Sequence, residues 1–307
     1  MIRSRIAMLF AVGLAALGSC AALRPSEILP VPANSFGRLY STIASDRGTK
    51  RQAAVAYGPL ARHHLDIYHP KAVAEKLPLV IFYYGGGWTE GDRAAYGFVG
   101  AALAARGYTT IIPDYRLYPN VMFPDFQEDA ALAYAWVARN LGEACGTRRP
   151  IILAGHSAGA HMAALLTLDG TYLERFAQEA PAPSGLIGLA GPYAFDPTTW
   201  PSTKAMFAPA AANPDAARPV AFARAHAPPA LLVHGLDDTT VRLWNTRGLA
   251  EALNKQGNVV ETVEYPGVGH VGLVMAISKP LRWRAPVLDT MVSFIERRIS
   301  AEAAPKC

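Results

Sequence analysis

The chain has 307 residues, of which 51% are hydrophobic and 17% are charged, so it can bury a large core and lacks the composition of a disordered protein. Its 29 Lys and Arg residues exceed its 24 Asp and Glu residues by five, but Arg3 and Arg5 stand within the first few residues and no Lys/Arg block follows. A nucleic-acid partner is therefore not predicted. One α/β domain can run to this length, and we expect one domain.

Residues 1–19 are typical of a signal peptide. Arg3 and Arg5 precede an apolar run from Ile6 to Leu17, which is too short to cross a bilayer comfortably and has the length of a secretory hydrophobic region. The next residues, LGSC, resemble the lipobox of bacterial lipoproteins, in which the cysteine, here Cys20, becomes the lipidated first residue. Ordinary cleavage nearby, which gives a soluble exported protein, is the alternative. We expect an exported protein that is either periplasmic or tethered to a membrane as a lipoprotein through Cys20.

The first half of the chain predicts several strands and a helix. A weakly patterned lead-in over residues 20–52 is followed by an antiparallel hairpin around Gly58-Pro59. Two short, continuous apolar runs, Leu79–Tyr84 and the YTTIIPDY segment, have the character of buried strands, and a helical segment over 93–106 separates them. A further helix is predicted from Asp125 to the Asn140-Leu141-Gly142 stretch.

The second half continues the alternation of strands and helices. The predicted strands are PIILAGHS, SGLIGLAG, PALLVHG and residues 259–265, and the predicted helices are AGAHMAALLTL, residues 244–256 and a last helix with an apolar face from Leu288 to Ile299. This alternation predicts an α/β fold with a mostly parallel central sheet of about eight strands and helices on both faces. In such sheets the reacting groups gather just beyond the carboxyl ends of the strands.

The stretch GHSAGAH, which runs from Gly155 to His161, carries the strongest chemical signal. It matches G-x-S-x-G, with Ser157 at a strand-to-helix junction where the chain turns sharply and the serine is strained. Gly155 and Gly159 remove side chains that would collide at this turn. The start of the helix also places the N–H of Ala158 beside the hydroxyl. We predict that Ser157 is a nucleophile.

A serine nucleophile needs a base and a group that orients the base. The LLVHGLDDTTV stretch places Asp237 and Asp238 just beyond a strand, and YPGVGHVG places His270 in a glycine-flanked loop after the following strand. We predict that His270 is the base and interpret the other seven histidines as structural. The order Ser, Asp, His is that of α/β-hydrolases, but it does not by itself choose between the two aspartates.

Together with these motifs, the chain resembles an α/β-hydrolase of the carboxylesterase group that includes hormone-sensitive-lipase-like and feruloyl- or acetyl-esterase-like enzymes. The resemblance covers roughly residues 55–298 and also involves GGGW, PDYRLYP followed by Phe123-Pro124, Asp129, Trp136 and HGLDDTTV. In that group the last pattern reads H-G-x-x-D-x-x-V, which implies that Asp238 is the acid. The resemblance implies the α/β-hydrolase fold.

The glycines of the GGGW stretch do not complete either glycine-rich phosphate-binding pattern. In the resembled esterases the loop reads H-G-G-G-W, and its backbone N–H groups form part of the oxyanion hole. The resemblance implies that Gly86 and Gly87 are two donors and that Ala158 is the third. This chain has Tyr84 where the pattern has His, so it is an open question what holds the loop in place.

The sequence therefore predicts a serine hydrolase that cleaves small carboxylic esters through an acyl-enzyme, with no metal and no cofactor. The domain is expected over residues 53–301, with a tail over 302–307. Residues 196–229 separate two core strands and suit a short cap over an acyl pocket, the alternative being an ordinary surface connection. The expected partner is a small-molecule ester, and no oligomeric state is predicted. Two other functions stay open: an amide hydrolase of the formamidase or acyl-peptide hydrolase type with the same triad, and a non-catalytic binding module on the same fold.

Overall fold

An eight-stranded sheet is the centre of the structure. The computed structural model describes residues 35–144 and 146–299. The signal peptide over 1–19, Cys20 and the tail over 302–307 lie outside the described residues, so those expectations stay predictions. Within the described ranges, no helix is both long enough and apolar enough to cross a bilayer.

The sheet is mixed at one edge and parallel elsewhere. Its strands run in the order β1-β2-β4-β3-β7-β8-β9-β10, and only the β1–β2 and β2–β4 pairs are antiparallel. The prediction of a mostly parallel sheet of about eight strands is confirmed. In chain order the strands, including a separate ribbon of β5 and β6, are β1 (Thr49–Ala56), β2 (His64–Pro70), β3 (Leu79–Tyr83), β4 (Thr110–Pro113), β5 (Glu143–Ala144), β6 (Thr147–Arg148), β7 (Ile151–His156), β8 (Gly185–Leu189), β9 (Ala230–Gly235) and β10 (Val260–Tyr265).

The helices pack against this sheet in separate groups. Helix α2 contacts both α1 and α8, whereas α3, α4 and α5 contact one another, and α6 packs beside β9 and β10. The helices are α1 (Ser35–Ala44), α2 (Gly97–Ala104), α3 (Asp125–Leu141), α4 (Ala158–Leu168), α5 (Gly170–Phe176), α6 (Trp244–Lys255), α7 (His270–Met275) and α8 (Val287–Arg298).

Burial explains why the central strands were recognisable as unbroken apolar runs. Every residue of β3, β7, β8 and β9 is buried, because helices cover both faces of a parallel sheet. The edge strand β1 is largely exposed, and its first four residues, TKRQ, are polar. The core thus lies where the sequence is most uniformly apolar.

The region over residues 20–52 contains more structure than its weak pattern suggested. Helix α1 and the first residues of β1 both fall within it. Contacts with distant residues hold α1: the Tyr40 hydroxyl lies 2.6 Å from the Ser278 hydroxyl, and Arg38 Nε donates to Asp92 at 3.0 Å. A pattern within the segment does not reveal such contacts.

Helix α2 is shorter than the helical segment expected over 93–106. It spans only Gly97–Ala104. The Asp92 carboxylate accepts the N–H groups of Ala94 and Ala95, at 2.9 and 3.0 Å, and so holds the preceding residues in a turn. Side-chain acceptors of this kind compete with helical hydrogen bonds.

The parallel strands bring distant residues to one edge of the sheet. The GGGW loop follows β3, Ser157 follows β7, Asp238 follows β9 and His270 follows β10. Because neighbouring parallel strands share the direction of their carboxyl ends, these residues meet at a single edge.

Candidate active site

Ser157 lies at a sharp turn between β7 and α4. Its backbone has φ 55° and ψ −122°, a combination that L-residues rarely adopt. A Cβ on Gly155 would lie 2.3 Å from the carbonyl oxygen of Gly159, and a Cβ on Gly159 would lie 2.0 Å from the carbonyl oxygen of Tyr83. Neither position accepts a side chain, which is why the sequence around Ser157 has glycine at both.

The three side chains predicted to act together form a hydrogen-bonded chain. His270 Nε2 lies 2.8 Å from Ser157 Oγ, and His270 Nδ1 lies 2.7 Å from Asp238 Oδ2. The Asp238 side chain is fully buried, and the His270 side chain is 11% exposed. This geometry fits a neutral imidazole that donates through Nδ1 and accepts the serine proton at Nε2. The catalytic roles of these residues stay predictions.

Asp238, not Asp237, contacts the histidine. Its Oδ1 accepts the backbone N–H groups of Thr240 and Val241, at 2.8 and 2.9 Å, while Oδ2 faces His270. Burial by itself would raise the pKa of Asp238, but the hydrogen bonds from His270 and from these backbone groups outweigh it and lower the pKa below its ordinary value. The carboxylate therefore stays charged opposite the imidazole.

His156 supports His270 from behind, a role that the sequence interpretation as a structural residue did not include. His156 Nε2 lies 3.1 Å from the carbonyl oxygen of His270, and the two ring centres are 4.7 Å apart. Burial, followed by the neighbouring charge of His270, lowers the pKa of His156 to about 3. A neutral ring thus holds the backbone of the predicted base. Its position directly before Ser157 was the available signal.

His161 joins α4 to the segment over 196–229. Its Nε2 lies 2.8 Å from the carbonyl oxygen of Ala217, and its ring meets Trp88 edge-on at 5.2 Å. Burial lowers the pKa of His161 to about 4. This histidine is structural, as the sequence interpretation expected.

The GGGW loop and the start of α4 approach the serine together. Gly86 and Gly87 have φ values of 131° and 57°, and a Cβ on Gly86 would lie 2.1 Å from the carbonyl oxygen of Glu90. Gly87 and Ala158 line the same cavity as Ser157, whereas Gly86 is not among the lining residues. Among the described residues no acceptor is found for the N–H groups of Gly87 and Ala158. Both are free to bind an oxygen in the cavity, and their role as oxyanion donors stays a prediction.

The structure shows how Tyr84 is anchored at the base of this loop. Its hydroxyl donates to Asp114 Oδ1 at 2.9 Å and accepts from Arg62 Nη2 at 2.7 Å. Its ring is stacked on Tyr115 and Tyr96, with ring centres 4.7 and 5.5 Å away, and the Tyr115 hydroxyl donates to the Tyr84 carbonyl oxygen at 2.9 Å. The motifs of the sequence predict no such role for Arg62 or Asp114. Nothing in their spacing indicated that both would reach Tyr84.

A cavity of about 180 Å³ opens beside Ser157. Four of its lining residues are aromatic, and two of these, Trp200 and Trp244, are 56% and 49% exposed at the surface. The segment over 196–229 contributes Trp200, Ser202 and Thr203, so it forms part of the wall, while its role as a cap stays a prediction. Larger grooves around α5 contain none of the three hydrogen-bonded residues.

No metal centre accompanies the site within residues 35–144 and 146–299. In these ranges no three His, Cys, Asp or Glu side chains are arranged to hold a metal ion.

Several curated proteins are similar in sequence. Esterase LipC from Mycobacterium tuberculosis is 30% identical over 237 residues, which is 70% of this chain and 58% of that protein. Isoprenylcysteine alpha-carbonyl methylesterase ICME from Arabidopsis thaliana is 28% identical over 274 residues, which is 79% of this chain and 61% of that protein. The chain thus spans little more than half the length of these relatives.

Solved structures share the fold. Esterase 2 from Thermogutta terrifontis matches with a TM-score of 0.67 and 25% identity, covering 85% of this chain and 97% of that one. Esterase B from Lactobacillus rhamnosis matches with a TM-score of 0.67 and 19% identity, covering 85% and 89%. The predicted α/β-hydrolase fold is confirmed. The model of the BD-FAE family matches residues 65–253, more than half of the chain, and the chain belongs to that family.

Proposed function

We propose that the protein is a serine hydrolase that cleaves small carboxylic esters through an acyl-enzyme. The observation that carries this proposal is the hydrogen-bonded chain from Ser157 through His270 to Asp238 at the edge of a cavity. The similar proteins LipC and ICME, which are named as esterases, support this proposal. Both are longer than the region that matches this chain.

The first step is attack by Ser157 on the ester carbonyl. His270 Nε2, 2.8 Å from the serine oxygen, takes the hydroxyl proton as the new carbon–oxygen bond forms. Asp238, held in its ionised form, keeps the Nδ1 proton in place and stabilises the imidazolium that results. No proton needs to pass to Asp238.

The carbonyl oxygen becomes negatively charged in this step. The N–H groups of Gly87 and Ala158, which reach the same cavity as Ser157, would stabilise that charge, with Gly86 as the third expected donor. In comparable sites the loss of one such donor lowers the rate about 10²- to 10³-fold. The positive φ values of both glycines allow this close backbone approach.

Collapse of the intermediate releases the alcohol. The proton on His270 Nε2 passes to the leaving oxygen, and the acyl group stays on Ser157. A water molecule then gives a proton to the same nitrogen and adds to the acyl carbon. The bond between this carbon and Ser157 Oγ breaks, His270 returns the proton to Oγ, and the carboxylic acid is released. The cavity of about 180 Å³ favours short acyl groups over long fatty chains.

A fluorophosphonate probe and an ester series test the proposal together. The intact protein should be labelled at Ser157 and should hydrolyse p-nitrophenyl acetate and butyrate faster than the octanoate, and Ser157→Ala should lose both labelling and turnover. Matched p-nitroanilides distinguish amide hydrolysis. Folded protein that neither reacts with the probe nor cleaves any ester would overturn the proposal in favour of a binding module.

We also propose export of the protein and lipidation of Cys20, for which the support is the sequence of the first twenty residues. Metabolic labelling of cells with a palmitate analogue should mark the wild-type protein, and Cys20→Ser should abolish the label. Labelling of both proteins, or of neither, would contradict lipidation at this residue.

A further inference from the structure

We infer that the acyl half of the substrate carries a negative charge, which Arg242 binds at the rim of the cavity. This inference builds on the proposed ester hydrolysis and adds the chemical class of the substrate: esters of acids that bear a second anionic group, such as monoesters of short dicarboxylic acids. Four observations carry it.

The first observation is an unneutralised cation beside the serine. Arg242 is the one charged residue among the described residues that line the cavity, and it is exposed. Its guanidinium has no carboxylate partner in the described part of the chain, whereas Arg247, five residues later, makes a two-fold contact with Glu264 at 2.7 and 2.8 Å. A charge left free at the mouth of a site is available to a ligand.

The second observation concerns helix α6, which spans Trp244–Lys255. Its first two residues, Trp244 and Asn245, line the same cavity, so the N-terminal end of this helix faces the site. A helix N-terminus carries a partial positive charge. The N-terminus of α6 therefore attracts an anion, as the positive charge of Arg242 does.

The third observation decides which half of the ester occupies the cavity. Ser157, Gly87 and Ala158 line it, but His270 and Asp238 do not. The leaving oxygen must lie within reach of His270 Nε2 to receive its proton. The alcohol half thus belongs on the histidine side, and the cavity receives the acyl half.

The fourth observation is the size and character of the cavity. Its volume is about 180 Å³. Phe195, Trp200 and Trp244 supply apolar surface for a short chain of methylene groups, with the cation at the rim. A short chain that ends in a carboxylate matches both features.

Matched pairs of methyl esters test the inference. Monomethyl succinate, glutarate and adipate carry a carboxylate at the far end of the acyl chain, and the corresponding monoamide methyl esters have nearly the same shape without the charge. Methanol release gives kcat/KM for each. In the best pair we expect the acid to be preferred over the amide, and Arg242→Gln to reduce this preference about fivefold.

Two further measurements separate charge recognition from a structural effect. Arg242→Lys should restore part of the preference, and raising the salt concentration should weaken it more in the wild type than in Arg242→Gln. Arg247→Gln removes the same charge five residues later, within α6 and away from the cavity, and it should leave the preference unchanged. Because the readout is a ratio of two substrates on one enzyme, partial unfolding of a variant does not affect it.

The outcomes distinguish this inference from the proposed function. Hydrolysis of the neutral esters without any preference for the acids, or an equal fall for both members of each pair in Arg242→Gln, would overturn the inference and leave the esterase proposal intact. Absence of hydrolysis together with absence of fluorophosphonate labelling would overturn both.

Discussion

Tyr84, the residue directly after β3, is held by polar contacts and by aromatic stacking. The side chain is fully buried, and its hydroxyl lies between Asp114 and Arg62 at the base of the glycine loop. The Gly91 backbone packs against its ring so closely that a Cβ there would lie 2.8 Å from it. The loop after β3 is thus supported from below by a polar contact and by stacking.

Tyr84→Phe removes the hydroxyl and keeps the stacked ring. Arg62 would retain its bonds to the carbonyl oxygens of Tyr115 and Gly91, and Asp114 would retain the N–H of Arg93, so no buried charge is left without partners. We therefore expect kcat on a butyrate ester to fall about fivefold without loss of activity.

The control for this change is Tyr108→Phe. The Tyr108 hydroxyl contacts Lys76 at 3.3 Å, and Tyr108 does not line the cavity. Its removal should leave kcat unaltered. Equal rates for wild type and Tyr84→Phe would show that the hydroxyl is no part of the loop's support.

At the scale of elements, the turn from β7 into α4 sets the position of the serine. The carbonyl oxygen of Tyr83, at the end of β3, faces the space that a side chain on Gly159 would fill. Strand β3, the glycine loop and helix α4 therefore fit together only with glycine at this position. Gly87, from the loop after β3, and Ala158, from the start of α4, line the same cavity as Ser157.

Gly159→Ala should push helix α4 away from strand β3. The new Cβ would lie 2.0 Å from a backbone oxygen, which cannot move as a flexible side chain does. We expect a loss of about 1–3 kcal/mol in the free energy of unfolding and a fall of at least about tenfold in kcat/KM. Urea unfolding and ester kinetics on the same preparation measure both.

Gly170→Ala is the matched substitution. Gly170 begins α5, and a Cβ there would meet only Glu174 Oε1, at 3.7 Å. It should keep wild-type stability and rate. If Gly159→Ala behaved like Gly170→Ala, the close fit of β3 against α4 would not matter for the site.

The sequence predicted those elements whose signals lie in residues that are neighbours along the chain. The buried strands and the serine turn were recognisable because apolar runs, glycines and the helix that follows Ser157 stand next to one another. The order of serine, aspartate and histidine, with the resemblance that favours Asp238, pointed to three side chains that lie within hydrogen-bond distance of one another. The contacts of α1 with Ser278 and Asp92, and those of Arg62 and Asp114 with Tyr84, were not predictable, because they join residues far apart in the chain without a spacing rule.

At the scale of the whole molecule, buried neutral histidines make stability depend on pH. His161 is fully buried, and burial lowers its pKa from 6.5 to about 4. In the unfolded chain this side chain takes up a proton as the pH falls below about 6.5, whereas in the folded protein it stays neutral down to about 4. The stabilisation that comes from keeping His161 neutral is therefore complete above the pKa of the unfolded chain, about 6.5, and is lost as the pH falls toward the pKa of the folded protein, about 4.

His161→Gln should make this dependence shallower. The side-chain amide can donate to the Ala217 carbonyl oxygen in place of the imidazole, and it does not titrate. Between pH 7 and pH 4.5 we expect the free energy of unfolding of the variant to fall by about 2 kcal/mol less than that of the wild type. Urea midpoints across this range give the comparison.

His226→Asn provides the reference. His226 is exposed and has a positive φ, a conformation that asparagine tolerates. The free energy of unfolding of His226→Asn should change with pH in parallel with that of the wild type. Parallel profiles for wild type and His161→Gln would mean that the buried ring does not govern the acid sensitivity.

The order in which the strand ends contribute to the site has a consequence for biosynthesis. Ser157 and His270 are 113 residues apart, and the histidine comes later. At ordinary rates of translation the ribosome needs on the order of ten seconds to make that interval. During that time Ser157 has no His270 beside it, and under the proposed mechanism the growing chain cannot hydrolyse an ester until the last crossover of the sheet has been made.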